Sequence, residues 1–436
     1  MKNKFAFLAI LLVQFKIGFS QTGIFYWTDS TIANYRLHNI VQTKEGDLYM
    51  VGITTDANDK NQQPLFIRTD NNGTLITKKV IPADDLYELS GFLLLPKMSD
   101  CTTGCYPLKL FGTKVQSNIP VFYTQPLNVN GEPQGSEATL ASSPQIMGSI
   151  ASVNDSENYF SFSKLTSQSV YNVRLVKEKY REVKGYSGAF GSVAEQEKYI
   201  AVKSPYTELC EDIVPVGDES VYLLCRRNYS DTLSDYIIYK VSSSADSVVW
   251  KCEIKSRKNM AAAKLCSASG SEMILMLTYL DNYDLNRYKA GLLQINLTNG
   301  DTIAVGNLYE MRSDGLLKLK NGNYVLYGGV TKAEKGIGLY MKAKWVLLDK
   351  SFNLIKEDEL GMFDAPDANL PGLAMSVNPT MSELAQAVQL ADGRIAFAGR
   401  VYMPNHIKPN EILYSQRFNR PMLLITGEDG KFRKEE

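Results

Sequence analysis

The sequence contains very little histidine and tryptophan. Its 436 residues include two histidines, His38 and His406, and three tryptophans. The chain therefore has too few histidines for metal sites built from several of them, and almost none for catalytic triads with a histidine base. Lysine plus arginine total 47, and aspartate plus glutamate also total 47. Because no basic excess exists to hold a nucleic-acid backbone, we expect no nucleic-acid partner.

Long apolar runs are missing after the N-terminus. No later segment offers eighteen consecutive apolar residues, and about that many are needed to cross ~30 Å of hydrocarbon, so we expect no transmembrane segment. Residues 1–20 have Lys2 and Lys4, then an apolar run from Phe5 to Val13, and small residues before Gln21. This order predicts a secretory signal peptide and a secreted or periplasmic protein.

The part of the chain after the predicted signal peptide has an even number of cysteines, in a compartment that favours disulfides. They are Cys101, Cys105, Cys210, Cys225, Cys252 and Cys266. Cys101 and Cys105 flank a turn-forming Thr-Thr-Gly stretch and could close a small loop. Zinc is the weaker interpretation of this pair, since no histidine or second thiol pair is near in sequence.

Two further cysteines are related by symmetry about a turn. Cys210 and Cys225 lie at equal distances from Gly217-Asp218, so a two-residue hairpin turn there would set them opposite each other. We therefore treat them as disulfide candidates. Cys252 and Cys266 are either paired or small buried hydrophobic residues.

A glycine-bounded strand pattern recurs along the chain. It consists of Gly, a polar residue, alternating apolar positions and a second Gly six residues after the first; clear copies are Gly46 to Gly52, Gly322 to Gly328 and Gly393 to Gly399. Each copy lies between two apolar stretches, which predicts strand, tight turn, strand. The second Gly is expected where the strand bends or where a neighbouring backbone approaches closely.

Degenerate copies fill the gaps and define the fold. Positions equivalent to the second Gly fall at 52, 112, 163, 225, 277, 328 and 399, with a mean spacing near 58 residues. A β-solenoid would repeat every ~20–30 residues. A twisted four-stranded sheet of this larger size hides both faces by stacking on copies of itself until the ring closes. The sequence therefore predicts an all-β fold, a seven-bladed β-propeller of four-stranded antiparallel blades.

The chain also offers a strand to close the ring. Gly23 to Trp27 is strongly β-forming and precedes the first repeat, with no sheet of its own, whereas the C-terminal segment from Lys431 to Glu436 makes a poor strand. We expect residues 23–27 to join the last blade, so that residues 21–436 form a single propeller domain. We expect this domain to be monomeric.

The repeat resembles a known family. The run Gln42 to Gly52, followed by Phe66 to Gly73, is similar to the repeat of exported bacterial β-propeller proteins, in which an x-DGGYxLxG strand precedes an hxKhDxxGNhxW hairpin. Leu390 to Ile395 is similar to the first element. About three of the seven units match well, and the others lack the glycines. The resemblance implies the propeller fold and an envelope location, but no function, since members are mostly uncharacterised.

Ligands of propellers bind at the central funnel and on the loops of one face, where strands of different blades converge. The innermost strands are expected to begin about fifteen residues before each second Gly, which places polar side chains of both charge signs near the funnel mouth. The candidate ligand-binding residues are Arg36, His38, Glu211, Arg312, Asp314, Glu383 and Gln386.

Two functions fit these sequence features. The first is a non-catalytic binding or scaffold propeller that holds a protein or glycan in the cell envelope. The second is a carbohydrate-active enzyme, a hydrolase or lyase, with carboxylates in the funnel. No catalytic residue, metal or cofactor is assigned. Two insertions, Met362 to Pro379 and Pro404 to Pro421, are expected to be long loops on the rim or one face.

Overall fold

The structure is a computed structural model. It describes residues 23–27, 33–56, 58, 60–94, 108–134, 137–140, 144–154, 157–184, 190–194, 198–202, 204–216, 220–229, 234–242, 247–255, 260–269, 272–282, 286–334, 338–360, 380–408 and 411–431. The predicted signal peptide, Cys101, Cys105 and the first insertion lie outside the described residues. Within these ranges, no helix is long and apolar enough to cross a membrane.

The described chain forms seven antiparallel blades in sequence order. Blade 1 has β2 (Ala33–Gln42), β3 (Leu48–Asp56), β4 (Gln63–Thr69) and β5 (Leu75–Val80). Blade 2 has β6 (Leu86–Leu94), β7 (Leu108–Gln116), β8 (Ile119–Leu127) and β9 (Ala138–Leu140). Blade 3 has β10 (Gln145–Asn154), β11 (Glu157–Leu165), β12 (Tyr171–Lys184), β13 (Phe190–Ala194) and β14 (Lys198–Ala201).

The second half of the ring repeats the arrangement. Blade 4 has β15 (Thr207–Val216), β16 (Ser220–Asn228), β17 (Ser234–Val241) and β18 (Val248–Ile254). Blade 5 has β19 (Met260–Ser269), β20 (Glu272–Asn282), β21 (Arg287–Asn296) and β22 (Thr302–Glu310). Blade 6 has β23 (Arg312–Lys318), β24 (Tyr324–Glu334), β25 (Gly338–Leu348), β26 (Leu354–Leu360) and β27 (Thr380–Met381). Blade 7 has β28 (Glu383–Gln389), β29 (Ile395–Lys408), β30 (Glu411–Thr426) and β1 (Gly23–Tyr26).

Blades 3 and 6 each have one strand beyond the basic four. In blade 3, β13 and β14 pair with different parts of β12. In blade 6, β27 adds a short parallel pair to β25. The seven-bladed, four-stranded antiparallel propeller predicted from the sequence is confirmed as the fold.

The ring is closed by β1. It pairs with β30 in antiparallel register, with Gly23 opposite Ile425 and Tyr26 opposite Met422. Blade 7 also packs on blade 1 through a hydrophobic cluster that includes Leu37 and Leu423. The first and last parts of the described chain therefore meet in one blade.

The core consists of layers between blades. Seven hydrophobic clusters of described residues each join two adjacent blades. Both faces of the second strands are buried, as along β3, while the outermost strands β5, β18, β22 and β26 are largely exposed. This gradient explains why the second strands are almost continuously apolar and the outer ones are not.

The insertion from Pro404 to Pro421 is a hairpin, so the expectation of a loop was wrong. Its two sides pair with each other from Val401 opposite Arg420 to Lys408 opposite Glu411. The two sides pair across register shifts at Pro404/Asn405 and His406/Lys408 and extend β29 and β30 beyond the blade. The extension leaves the blade at the end where β28 begins, since Glu383 lies opposite Arg400.

Candidate functional site

A cavity of about 630 Å³, called here the channel, lies where the first strands of all seven blades converge. Its polar walls mix both charge signs. Every blade contributes to the lining; one lining residue per blade, in ring order, is His38, Ser90, Ser149, Glu211, Lys264, Asp314 and Gln386. A space lined by every blade is the central funnel of the propeller, and its volume falls within the ~300–1,000 Å³ of small-ligand sites.

A register shift interrupts every first strand where it pairs with the second. The shifts involve His38 in β2, Ser90 in β6, Glu211 in β15 and Asp314 in β23, with similar irregularities in β10, β19 and β28. A bulge inserts one residue and re-aims its side chain. These four bulged residues line the channel.

The second Gly of the repeat permits a close backbone approach beside the bulge. A Cβ atom at these glycines would meet a carbonyl oxygen of the first strand at a distance that no side chain tolerates. The oxygens belong to Arg36 (1.9 Å, from Gly52), Glu88 (2.4 Å, from Gly112), Arg312 (2.0 Å, from Gly328) and Glu383 (2.0 Å, from Gly399). The predicted role of this glycine is thus confirmed, and these four charged residues occupy equivalent places in their blades.

All seven predicted ligand-binding residues lie on first strands. His38, Glu211, Asp314 and Gln386 line the channel. Arg36, Arg312 and Glu383 lie near the ends where β2, β23 and β28 begin. The structure therefore brings four of the seven to the channel wall and places the other three near the starts of first strands, and the role of all seven in binding stays a prediction.

Blades 6, 7 and 1 carry a group of residues called here the arginine arc. It consists of Arg36, His38, Arg312, Asp314, Glu383 and Arg400, of which His38 and Asp314 line the channel. The Nη2 atom of Arg400 lies 3.0 Å from Oε1 of Glu383. Burial acts to raise the pKa of Glu383, but the guanidinium groups of Arg400, Arg312 and Arg36 outweigh it, so the pKa is lowered. Glu383 is therefore an ionised carboxylate surrounded by cations.

Asp314 behaves differently from its neighbour Glu383. Burial raises the pKa of Asp314 to about 7, and Glu383 adds to the rise, although Nε of Arg312 lies 3.4 Å from Oδ1. Burial and Arg36 lower the pKa of His38 to about 4. At neutral pH the arc therefore holds one ionised acid, one acid that is about half protonated, and a neutral imidazole.

Blades 2, 4 and 5 supply the acidic arc, which consists of Glu88, Glu211, Asp212, Arg226 and Lys264. Arg226 Nε lies 3.0 Å from Glu211 Oε1, and the Tyr236 hydroxyl donates to Glu211 Oε2 at 3.1 Å. Lys264 Nζ lies 3.7 Å from Asp212. Burial raises the pKa values of both Glu88 and Glu211. These cations therefore offset the acids less fully than the arginines offset Glu383.

Four side-chain atoms of the arginine arc are buried without a hydrogen bond to any described residue. They are Nε of Arg312, Nε of Arg400, Oδ2 of Asp314 and Oε2 of Glu383. An unsatisfied buried polar atom costs about 1–3 kcal/mol. A ligand or water that reaches them would satisfy two donors and two acceptors.

Sequence reasoning missed the charged residues Glu88, Arg226, Lys264 and Arg400. Two of them follow a rule of the repeat. Arg400 comes directly after Gly399, and Arg226 comes directly after Cys225, the equivalent position in blade 4. The residue after the second Gly was therefore the signal that could have found them.

Cys210 and Cys225 are opposite each other, but not through the predicted turn. Val216 lies opposite Ser220, so the connection is one residue longer than a two-residue hairpin, and the bulge at Glu211 restores the register. Both thiols are buried, and they form no disulfide in the structure, nor do those of Cys252 and Cys266. The disulfide between Cys210 and Cys225 stays a prediction.

No family model and no curated protein matches the chain. Among solved structures, it is similar to a hypothetical selenium-binding protein from Sulfolobus tokodaii at 11% identity and a TM-score of 0.45, covering 92% of this chain and 95% of that one. A protein of unknown function from Dyadobacter fermentans gives 11% and 0.43, covering 77% and 96%. The WD40 domain of SCAP from fission yeast gives 10% and 0.40, covering 94% and 99%.

Proposed function

We propose that the protein is an exported, non-catalytic binding propeller that takes a glycan unit into the channel. The observation that carries the proposal is the cavity of about 630 Å³, walled by all seven blades and lined by groups of both charge signs. A protein partner would need about 800 Å² of surface on each side. A recess of this size and polarity suits a sugar unit better than a protein surface.

A glycan array probed with the chain from residue 21 onward tests this function. We expect binding to particular glycans and loss of that binding in Ala385→Trp, because Ala385 lines the channel and an indole there would occupy it. Ile76→Trp is the matched control, since Ile76 is 48% exposed on the outermost strand of blade 1. If no glycan binds, or if both variants bind equally well, channel binding is excluded.

A carbohydrate-active enzyme is the second candidate, and one observation favours it. Asp314, with a pKa of about 7, neighbours the ionised Glu383, and such a split between two carboxyl groups is how glycosidases divide acid from base or nucleophile. We rank it second because Glu383 is already held by Arg400. Release of 4-nitrophenol from a panel of nitrophenyl glycosides, lost in Asp314→Asn, would support catalysis.

Export is the other part of the proposal. It is supported by the order of charge, apolar run and small residues in positions 1–20. N-terminal sequencing of the protein from periplasmic and culture fractions is expected to begin at Gln21. Recovery of the protein only from the cytosol, with Met1 intact, would exclude export.

A further inference from the structure

The charges of the channel are unevenly distributed. The arginine arc holds three guanidinium groups, from Arg36, Arg312 and Arg400, all of which act on the carboxylate of Glu383. Its acids are Glu383 and Asp314, so three guanidinium groups stand against two carboxyl groups. The described residues of this arc therefore have a positive excess.

The buried atoms of the same arc that lack a hydrogen bond require two kinds of partner, donors and acceptors. Buried Oδ2 of Asp314 and Oε2 of Glu383 can accept from hydroxyl groups, and buried Nε of Arg312 can donate to an acceptor. A carboxylate is the acceptor that guanidinium groups bind most strongly. Hydroxyl groups and a carboxylate must then lie close together on one ligand.

The opposite wall includes apolar side chains near the same level of the ring. Leu209 and Ala262, from blades 4 and 5, occupy the places equivalent to Arg36 and line the channel, and Ile146 of blade 3, one position further along its strand, also lines it. Such a wall can pack against the carbon skeleton of a ligand whose polar edge faces the arginine arc.

We propose that the channel binds an acidic sugar, with its carboxylate on the arginine arc and its hydroxyl groups on Asp314 and Glu383. This inference rests on the proposed glycan-binding function and gives it a substrate class. The sugar can be free or the terminal unit of a polymer, since both present the same groups.

Calorimetric titration with galacturonate, trigalacturonate and the methyl ester of galacturonate tests the inference. The ester keeps every hydroxyl group and loses only the charge. We expect the acid to bind at least about tenfold more tightly than the ester, a difference of about 1.4 kcal/mol in binding free energy. Added salt should reduce this difference in affinity. Binding of galacturonate identifies a free-sugar site, and binding of trigalacturonate alone identifies a polymer end; both support the proposal.

Two variants, each of which removes one positive charge, test where the carboxylate of the ligand binds. Arg36→Ala removes an exposed guanidinium from the arginine arc, and we expect about a tenfold loss for the acid with no change for the ester. Lys264→Ala removes one positive charge from the acidic arc and is the matched control, with an expected loss below about threefold. Arg36→Gln serves as a second variant if thermal melting shows that Arg36→Ala is unfolded.

The outcomes separate the two proposals. Equal affinities for acid and ester, or equal losses in the two variants, overturn the acidic-sugar inference. If neutral glycans bind and Ala385→Trp abolishes their binding, the channel function stands while the substrate class is wrong. Absence of binding to any sugar overturns both.

Discussion

Blades that keep the second glycine differ from those that lack it in the residue that the first strand places beside it. Blades 1, 2, 6 and 7 keep the glycine and place a charged residue there, namely Arg36, Glu88, Arg312 or Glu383. Blades 3, 4 and 5 have a side chain at the glycine position and place Gln145, Leu209 or Ala262 in the equivalent register. The glycine thus separates blades with a charged residue at this place from blades with an uncharged one.

The difference shows at which position of the repeat a charged side chain can be placed. A missing Cβ lets the first strand approach the second so closely that its carbonyl would overlap any side chain there, as at 2.0 Å between Gly399 and Glu383. Cys225, which replaces the glycine in blade 4, lies opposite Cys210 and fills the gap with a buried thiol. The glycine blades therefore give up packing at this position, and the other blades retain it.

The largest effect is expected from filling the gap in a glycine blade. Gly399→Ala should destabilise the protein by about 3 kcal/mol, because the new methyl group would displace the backbone at Glu383. Cys225→Ala, at the equivalent position of blade 4, should cost about 1 kcal/mol, since it only shortens a buried side chain. Urea unfolding measures the stability of both variants. Equal losses of unfolding free energy would contradict the distinction between blades with and without the glycine.

The carboxylates of the two arcs should respond to neutralisation with opposite signs. Glu383→Gln is expected to destabilise the protein by about 3 kcal/mol, because it leaves the buried guanidinium of Arg400 without its counter-charge. Glu211→Gln should be neutral or stabilising above pH 7, because the raised pKa of Glu211 shows that its surroundings disfavour the charge. Both variants keep the size of the side chain. A stability loss in Glu211→Gln as large as in Glu383→Gln would contradict the asymmetry.

The pH dependence of stability should report on Asp314. Its pKa rises from 3.8 to about 7 on folding, so its proton stabilises the fold fully below about pH 4 and this stability is lost as pH rises through 7. We expect unfolding midpoints in urea to fall less between pH 5 and 8 in Asp314→Asn than in the unmodified protein. His38, with a pKa lowered to about 4, acts in the opposite direction below about pH 6.5 in both proteins, so it cancels in the comparison. Identical slopes would contradict the raised pKa.

The architecture could be predicted from the sequence because it rests on local, repeated chemistry. Gly46, Gly322 and Gly393 all have positive φ in their turns, and a positive φ is the conformation that glycine adopts at no steric cost. Together with the glycine that follows six residues later, they set the repeat length and hence the number of blades. The fold class follows from that count.

The details of the site depended on features that the sequence does not display. The first strands are shifted by bulges, which show only as pairing irregularities, and the paired position of Cys210 and Cys225 resulted from a longer turn offset by a bulge. Arg226, which lines the channel, and Arg400 lie on second strands, whereas the residues predicted from the sequence all lie on first strands. The charge balance around Glu383 requires distances between blades, so only the closed ring reveals it.

The smallest effect concerns the boundary where two glycine blades meet. The amide of Asn39 in blade 1 donates to Oε1 of Gln386 in blade 7 at 2.7 Å, so this neutral hydrogen bond joins the first strands at the point of ring closure. Asn39→Ala and Gln386→Ala should each cost about 1 kcal/mol, and a double-mutant cycle should show a coupling of about 0.5–1 kcal/mol. Urea unfolding of the two single variants and the double variant measures it. Strict additivity would mean that this hydrogen bond adds nothing to the apolar packing and the other hydrogen bonds across the boundary, such as the one from the Ala391 N–H to Gln42 Oε1.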